Sequence, residues 1–305
     1  RSFIFTAVVA SLLCVSCAKP QTTLSENERP FNPPIMGWSS WNAFLVDISE
    51  DIIKHQADLM VEKGLKDAGY QYINVDDGYF GKRDENGVMQ ANEKRFPNGM
   101  KPVADHIHSL GMKAGLYTDA GTRTCGSLWN KDSIGIGAGI YGHEPQDAQL
   151  YFGDWGFDFI KIDYCGGEVL GLDEKERYTS IRNSIDKVNK NVSINICRWA
   201  YPGTWAKDAA TSWRISGDIN AHWNSLKYVV GKNLYLSAYA GNGHYNDMDM
   251  MVVGFRNNSR VGGNGLTPTE EEAHFGLWCI MSSPLLIGCD LEKMPDSSLE
   301  LLKNK

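Results

Sequence analysis

The sequence has no basic cluster and no Lys/Arg stripe, and its formal net charge is −7. That sets nucleic acid aside as a partner. It has no P-loop to cradle a nucleotide phosphate. Beyond the first residues it has no CxxC and no combined Cys/His spacing of a zinc site, so no metal is called for. It also lacks a comfortable membrane span. The apolar run behind Arg1, residues 2–13, is too short for one and ends in Leu13-Cys14-Val15-Ser16-Cys17. Small residues leading to a cysteine read as a secretory signal of the bacterial lipoprotein kind, with Cys17 as the lipidated first residue. An ordinary cleaved signal, cut near Ala18, is the alternative. The chain starts at Arg1 rather than Met, so at least one upstream residue is expected. Residues 18–32, rich in Pro, Thr, Asn and Glu, are expected to be a flexible tether. The expected location is the periplasm or cell surface, lipid-anchored at Cys17, or else secreted and soluble.

What remains is ordinary globular material: 42% hydrophobic and 22% charged over 305 residues. That length can bury a large core. Nine tryptophans and thirteen tyrosines are many. Aromatic faces pack on sugar C–H surfaces, but they also fill cores.

Strand-like runs alternate with helical ones. The strand candidates are 35–38, 72–75, 113–117, 159–162, 192–196, 213–216, 250–253 or slightly upstream, and 284–287. Between the first two, Asp47-Ile48-Ser49-Glu50 reads as a capping box ahead of a helical period at Ile53, Ala57, Met60 and Val61. Val103, Ile107 and Leu110 repeat that period up to Gly111, and Ala148, Phe152 and Trp155 up to Gly156. Further helices are expected over 174–189, 220–231, 269–282 and 296–304. Eight strand–helix repeats over residues 33–305 predict an α/β fold, a (β/α)8 TIM barrel; a doubly wound open sheet is the alternative. The notable polar residues fall at C-terminal strand ends, where barrels build active sites.

Asp163 and Asp218 are the most informative of these. Each closes a short apolar run, with Lys161 or Arg214 just before it. Two carboxylates on different strands of one barrel can face each other across a sugar and split a glycosidic bond. Plain salt bridging to Lys161 and Arg214 is the structural alternative. Asp76-Asp77-Gly78 could be sugar-binding carboxylates or only a turn. Cys125 and Cys165 follow two successive strands and could bridge in an oxidising compartment. Cys197, Cys279 and Cys289 lie in apolar runs and are expected to be buried thiols. His143, His222 and His244 are expected to be satisfied or solvent-facing.

Several motifs, in order, match one pattern. They include Met36-Gly37-Trp38-Ser39-Ser40-Trp41-Asn42, Ile73-Asn74-Val75-Asp76-Asp77, Gly115-Leu116-Tyr117-Thr118-Asp119, Lys161-Ile162-Asp163, Trp213-Arg214-Ile215-Ser216-Gly217-Asp218 and Asn246-Asp247-Met248-Asp249. The chain resembles glycoside hydrolase family 27, the melibiase-type α-galactosidases and α-N-acetylgalactosaminidases. The resemblance implies a retaining exo-glycosidase that releases terminal α-linked D-galactose from oligosaccharides or glycoconjugates. It implies Asp163 as nucleophile and Asp218 as acid/base. It places Asp76 and Asp77 on the 4- and 6-hydroxyls, and Trp41, Tyr117 and Lys161 around the sugar. Arg214 and Asp249 are expected beside it, with Asp247 a structural acceptor. It matches Cys125 and Cys165 to a family disulfide. No cofactor is implied, because two carboxylates and water complete the chemistry. The family's antiparallel β domain after the barrel is expected to be absent from this chain.

One departure bears on specificity. The family often reads Cys-Glu-Trp after strand five, its glutamate facing the sugar 2-position; this chain reads Cys197-Arg198-Trp199. Arg198 could donate to the 2-hydroxyl beside Arg214, pair with a nearby carboxylate, or swing out to solvent. The first option favours galactose over N-acetylgalactosamine. A β-L-arabinopyranosidase is the rival within the enzyme class, against which the retained Asp77 argues. A non-catalytic sugar-binding lipoprotein on the same scaffold is the rival outside it.

Overall fold

The computed structural model describes residues 33–241, 243–256 and 259–304. The signal segment, Cys17 and the tether lie outside the described residues. The strands are β1 (Met36–Ser39), β2 (Tyr72–Asn74), β3 (Phe80–Arg83), β4 (Met89–Ala91), β5 (Lys113–Asp119), β6 (Phe159–Asp163), β7 (Ser193–Cys197), β8 (Ser212–Arg214), β9 (Tyr245–Asp247) and β10 (Leu285–Ile287). Eight of them form one parallel sheet in the order β10-β1-β2-β5-β6-β7-β8-β9. The ring closes through Met251, which bridges Ile287 in parallel and donates its N–H to the Leu286 carbonyl at 2.7 Å. This is the (β/α)8 barrel.

Side chains two apart on a strand share a face. Phe159, Lys161 and Asp163 therefore all point into the ring. Phe159 joins Ile35, Tyr72, Met250 and Leu286 in a small apolar cluster, with Trp41 packed on it. Above it the inward residues turn polar: the Asn195 amide donates to Asp247 at 2.8 Å and Ser212 at 2.9 Å. The larger apolar cluster contains the opposite faces of the same strands (Ile160, Ile162, Ile194, Ile196) together with helix residues such as Ile53, Ile107 and Ile181.

The seventh barrel strand is Tyr245–Asp247, at the upstream position the sequence reading allowed; only Met251 of the 250–253 run bridges a neighbour. The fold departs from the sequence reading in three places. The first long helix, Glu50–Glu62, is capped by Ser49, whose hydroxyl accepts from Ile52 N; Asp47 is not the cap. Glu50 instead ties Lys54 and Asn98. The hairpin β3–β4 has no counterpart in the repeat pattern. Cys279 is exposed near the end of the helix Pro268–Ile280, whereas Cys197 and Cys289 are buried.

Candidate active site

The C-terminal strand ends open into a cavity of about 290 Å³. Trp41, Lys161, Asp163, Cys165, Cys197, Trp199, Arg214, Asp218 and Asp249 are among its walls. A smaller cavity of about 30 Å³ shares Lys161, Arg214 and Asp249 and adds Asp76. Most of the residues singled out in the sequence therefore converge on one place.

Lys161 is the hub of one side. Its Nζ lies 3.0 Å from Asp76 Oδ2 and 3.9 Å from Asp163 Oδ2. It also sits 5.2 Å from the Tyr117 ring centroid and 5.9 Å from that of Trp41. Burial alone would depress the ammonium, but Asp163 and Asp76 hold its pKa well above the usual value. Burial pushes Asp163 up to about 6, while Lys161 and a hydrogen bond from the Cys197 thiol pull it down. That thiol stands directly across the ladder, since Asp163 pairs with Cys197 in register.

Arg214 is the hub of the other side. One of its terminal nitrogens lies 2.8 Å from Asp249 and 3.0 Å from Asp218. Arg214 and Asp249 are both buried, but the Asp218 side chain is 68% exposed. Burial raises Asp249 to about 6 against the opposing pull of Arg214. The cavity thus holds one buried carboxylate beside a lysine and one exposed carboxylate beside an arginine.

Two buried carboxylate oxygens have no hydrogen-bond partner, Asp77 Oδ1 and Asp163 Oδ1. Such atoms are costly unless a ligand or water completes them. Asp77 Oδ2 is already committed to Gly126 N at 2.7 Å, and burial lifts the group to about 7. Tyr117 is buried, and its hydroxyl accepts from Cys125 N at 3.3 Å, so it supports the site from behind its wall.

The loops after β5 and β6 are clamped together. Cys125 and Cys165 form a disulfide, as the resemblance implies. Asp119 accepts from Gly121 N at 2.7 Å and Gly166 N at 3.0 Å. A Cβ on Gly121 would lie 2.0 Å from the Gly166 carbonyl carbon, so only glycine fits. Asp119, Cys125 and Cys165 are also the described cluster close enough to hold a metal, but both sulfurs are spent in the disulfide.

Arg198 departs from expectation. It is absent from the cavity lining; its guanidinium pairs with Glu174 and lies 5.9 Å from the Tyr164 ring centroid. The reason is strand alternation. Cys197 faces inward opposite Asp163, so the next residue faces out and the one after returns. Trp199 is therefore the residue that lines the cavity, and its φ of 58° is unusual for a bulky side chain. Leu45 (φ 50°) and Asp249 (φ 79°) share this left-handed geometry and also line the cavity. Such conformations collect at functional sites. At Asp249 the backbone is held by Trp278 Nε1, which donates to its carbonyl at 2.8 Å, and by Asp247, which accepts from its N–H at 2.8 Å. Trp199, Cys197 and Trp129 were not identified as cavity residues from the sequence. Alternation from Asp163 and the ladder register would have found the first two. His222 and His244 make local contacts, to Ser225 N and to the Ala210 carbonyl.

A family profile described as alpha galactosidase A matches residues 33–305. The chain belongs to the alpha galactosidase A, or melibiase, family. Its relatives within that family include alpha-galactosidase A of Cellvibrio japonicus, 40% identical across 93% of this chain and 69% of the relative. Another is the alpha-galactosidase of Cyamopsis tetragonoloba, 40% identical across 92% and 64%. The solved structure of an alpha-galactosidase from Saccharomyces cerevisiae superposes with a TM-score of 0.79 at 32% identity, across 90% of this chain and 64% of that one. The chain thus spans about two thirds of the length of these family members.

Proposed function

We propose that this chain carries the catalytic barrel of a retaining exo-glycosidase that hydrolyses terminal α-linked D-galactose. The observation that carries the reading is the pairing in one cavity of Asp163 beside Lys161 with Asp218 beside Arg214. Asp163 attacks the anomeric carbon while Asp218 gives its proton to the departing oxygen. Asp218 then takes a proton from water, which displaces the sugar from Asp163 with net retention. Asp76, on the wall of the smaller cavity, supports a role as acceptor for a galactose hydroxyl, with buried Asp77 behind it. The names of the relatives support galactose over N-acetylgalactosamine; Arg198 lends no support, because it faces away. Retention of Asp77 supports galactose over L-arabinopyranose. Export, with Cys17 as a lipid anchor, remains part of this proposal and rests on residues 1–17 alone. Among the described residues no helix is long and apolar enough to cross a membrane.

A panel of nitrophenyl glycosides tests the reading: α-galactoside, β-galactoside, α-N-acetylgalactosaminide and β-L-arabinopyranoside. Hydrolysis of the α-galactoside, with α-galactose as first product by NMR, is expected. Preference for another glycoside, or β-galactose as first product, contradicts it.

A further inference from the structure

The described tryptophans are buried or half-buried with one exception. Trp129 is 78% exposed. Isolated exposed apolar residues need no explanation by themselves. This one differs in position: of the exposed large hydrophobics among the described residues, only Trp129 borders the cavity. Asp218, the exposed carboxylate of the pair it forms with buried Asp163, marks the open end. The proton donor must touch the leaving oxygen, so the leaving group emerges where Asp218 is exposed.

The backbone under Trp129 is anchored. It ends the helix Cys125–Trp129, which is capped by Thr124 and bonded through Cys125 to Cys165. Gly126 N in the same helix donates to Asp77. The backbone that carries Trp129 is therefore tied to both the proposed nucleophile loop and the proposed sugar-binding aspartate, which limits the ordering cost of using it. The cation at the mouth, Arg260, is engaged by the Phe44 carbonyl at 2.5 Å and by Asp47 at 3.1 Å. Arg260 is thus already matched, and beside Asp218 the mouth offers the exposed indole as an apolar face.

We propose that Trp129 is the stacking platform of a leaving-group subsite that takes a neutral hexose unit. A pyranose presents a C–H face that suits an indole, while its hydroxyls stay in water. The inference rests on the galactosidase reading, and the test separates the two. Melibiose has a glucose leaving group that would lie on Trp129. α-Galactosyl fluoride has no leaving group large enough to reach it. Steady-state kcat/KM on both substrates is measured for wild type, Trp129→Ala and Trp129→Phe, with unfolding midpoints as a control. The expected result for Trp129→Ala is a loss of roughly fivefold to tenfold on melibiose with fluoride hydrolysis within twofold of wild type. Trp129→Phe should recover most of the loss. An unchanged ratio, or an equal loss on both substrates, overturns the proposal. Failure of wild type to hydrolyse even the fluoride would instead remove the galactosidase reading, and this subsite with it.

Discussion

Replacing Arg214 by methionine should destabilise the barrel in a pH-dependent way. Arg214 and Asp249 are each about 5% exposed and 2.8 Å apart. Removing one partner of a buried ion pair costs about 3–5 kcal/mol, because the remaining charge is stranded. Asp249 would keep two backbone donors, Ile219 N at 2.8 Å and Met250 N at 2.7 Å. That places the cost at the lower end, about 3 kcal/mol. Methionine retains most of the stem volume, so packing contributes little. The sign with pH follows from the raised pKa of Asp249, about 6 in the intact site against an ordinary 3.8. A carboxyl raised by folding favours the native state while protonated, and that contribution fades as pH climbs through its folded pKa. Loss of Arg214 raises the folded pKa further. The deficit of Arg214→Met should therefore be small at pH 5 and open between pH 6 and pH 8. Urea unfolding at pH 5 and pH 8 measures it, and adding Asp249→Asn should restore most of the loss at pH 8. An equal deficit at both pH values, or no recovery in the double variant, would refute the reasoning.

Three further outcomes are expected. The acid limb of kcat/KM should rise with pH through about 6, since Asp163 must be ionised to attack; Cys197→Ala should move that limb upward and Cys197→Ser restore it, and a downward shift contradicts the assignment. Arg198→Ser should leave the ratio of α-galactoside to α-N-acetylgalactosaminide hydrolysis unchanged, because the side chain pairs with Glu174 outside the cavity; a relaxed ratio would return it to the 2-position. Removing Cys125 and Cys165 together should cost about 4 kcal/mol, from the loop entropy of a 40-residue separation, and neither should take a thiol label in native unreduced protein.

Legibility in the sequence followed the strength of local patterning. The β6 run could be read because its inward residues are distinctive, Phe159, Lys161 and Asp163, while Ile160 and Ile162 face the helices. The β9 strand could be placed only loosely, at 250–253 or slightly upstream, because Met250-Met251-Val252-Val253 is the more apolar run, yet only Met251 pairs there. Pairing instead follows Tyr245–Asp247, where Asn246 accepts from Trp213 Nε1 at 2.8 Å and Asp247 from Asn195, contacts invisible to hydrophobic periodicity. The convergence of Trp41, Asp76, Lys161, Asp163, Arg214, Asp218 and Asp249 was legible through the ordered motifs. Arg198 misled because its place after the strand was matched to a motif without following side-chain alternation from Asp163. Trp129 depends on loop geometry, a short helix anchored by a disulfide, and leaves no periodic trace.

The central claim is that Asp163 bonds covalently to the sugar. The direct measurement is mass spectrometry of protein trapped with a fluorinated galactosyl inactivator, followed by peptide mapping. The account predicts one galactosyl adduct, on the peptide carrying Asp163, absent from Asp163→Asn. An adduct on Asp218, or an active protein that forms no adduct as it is inactivated, would contradict it.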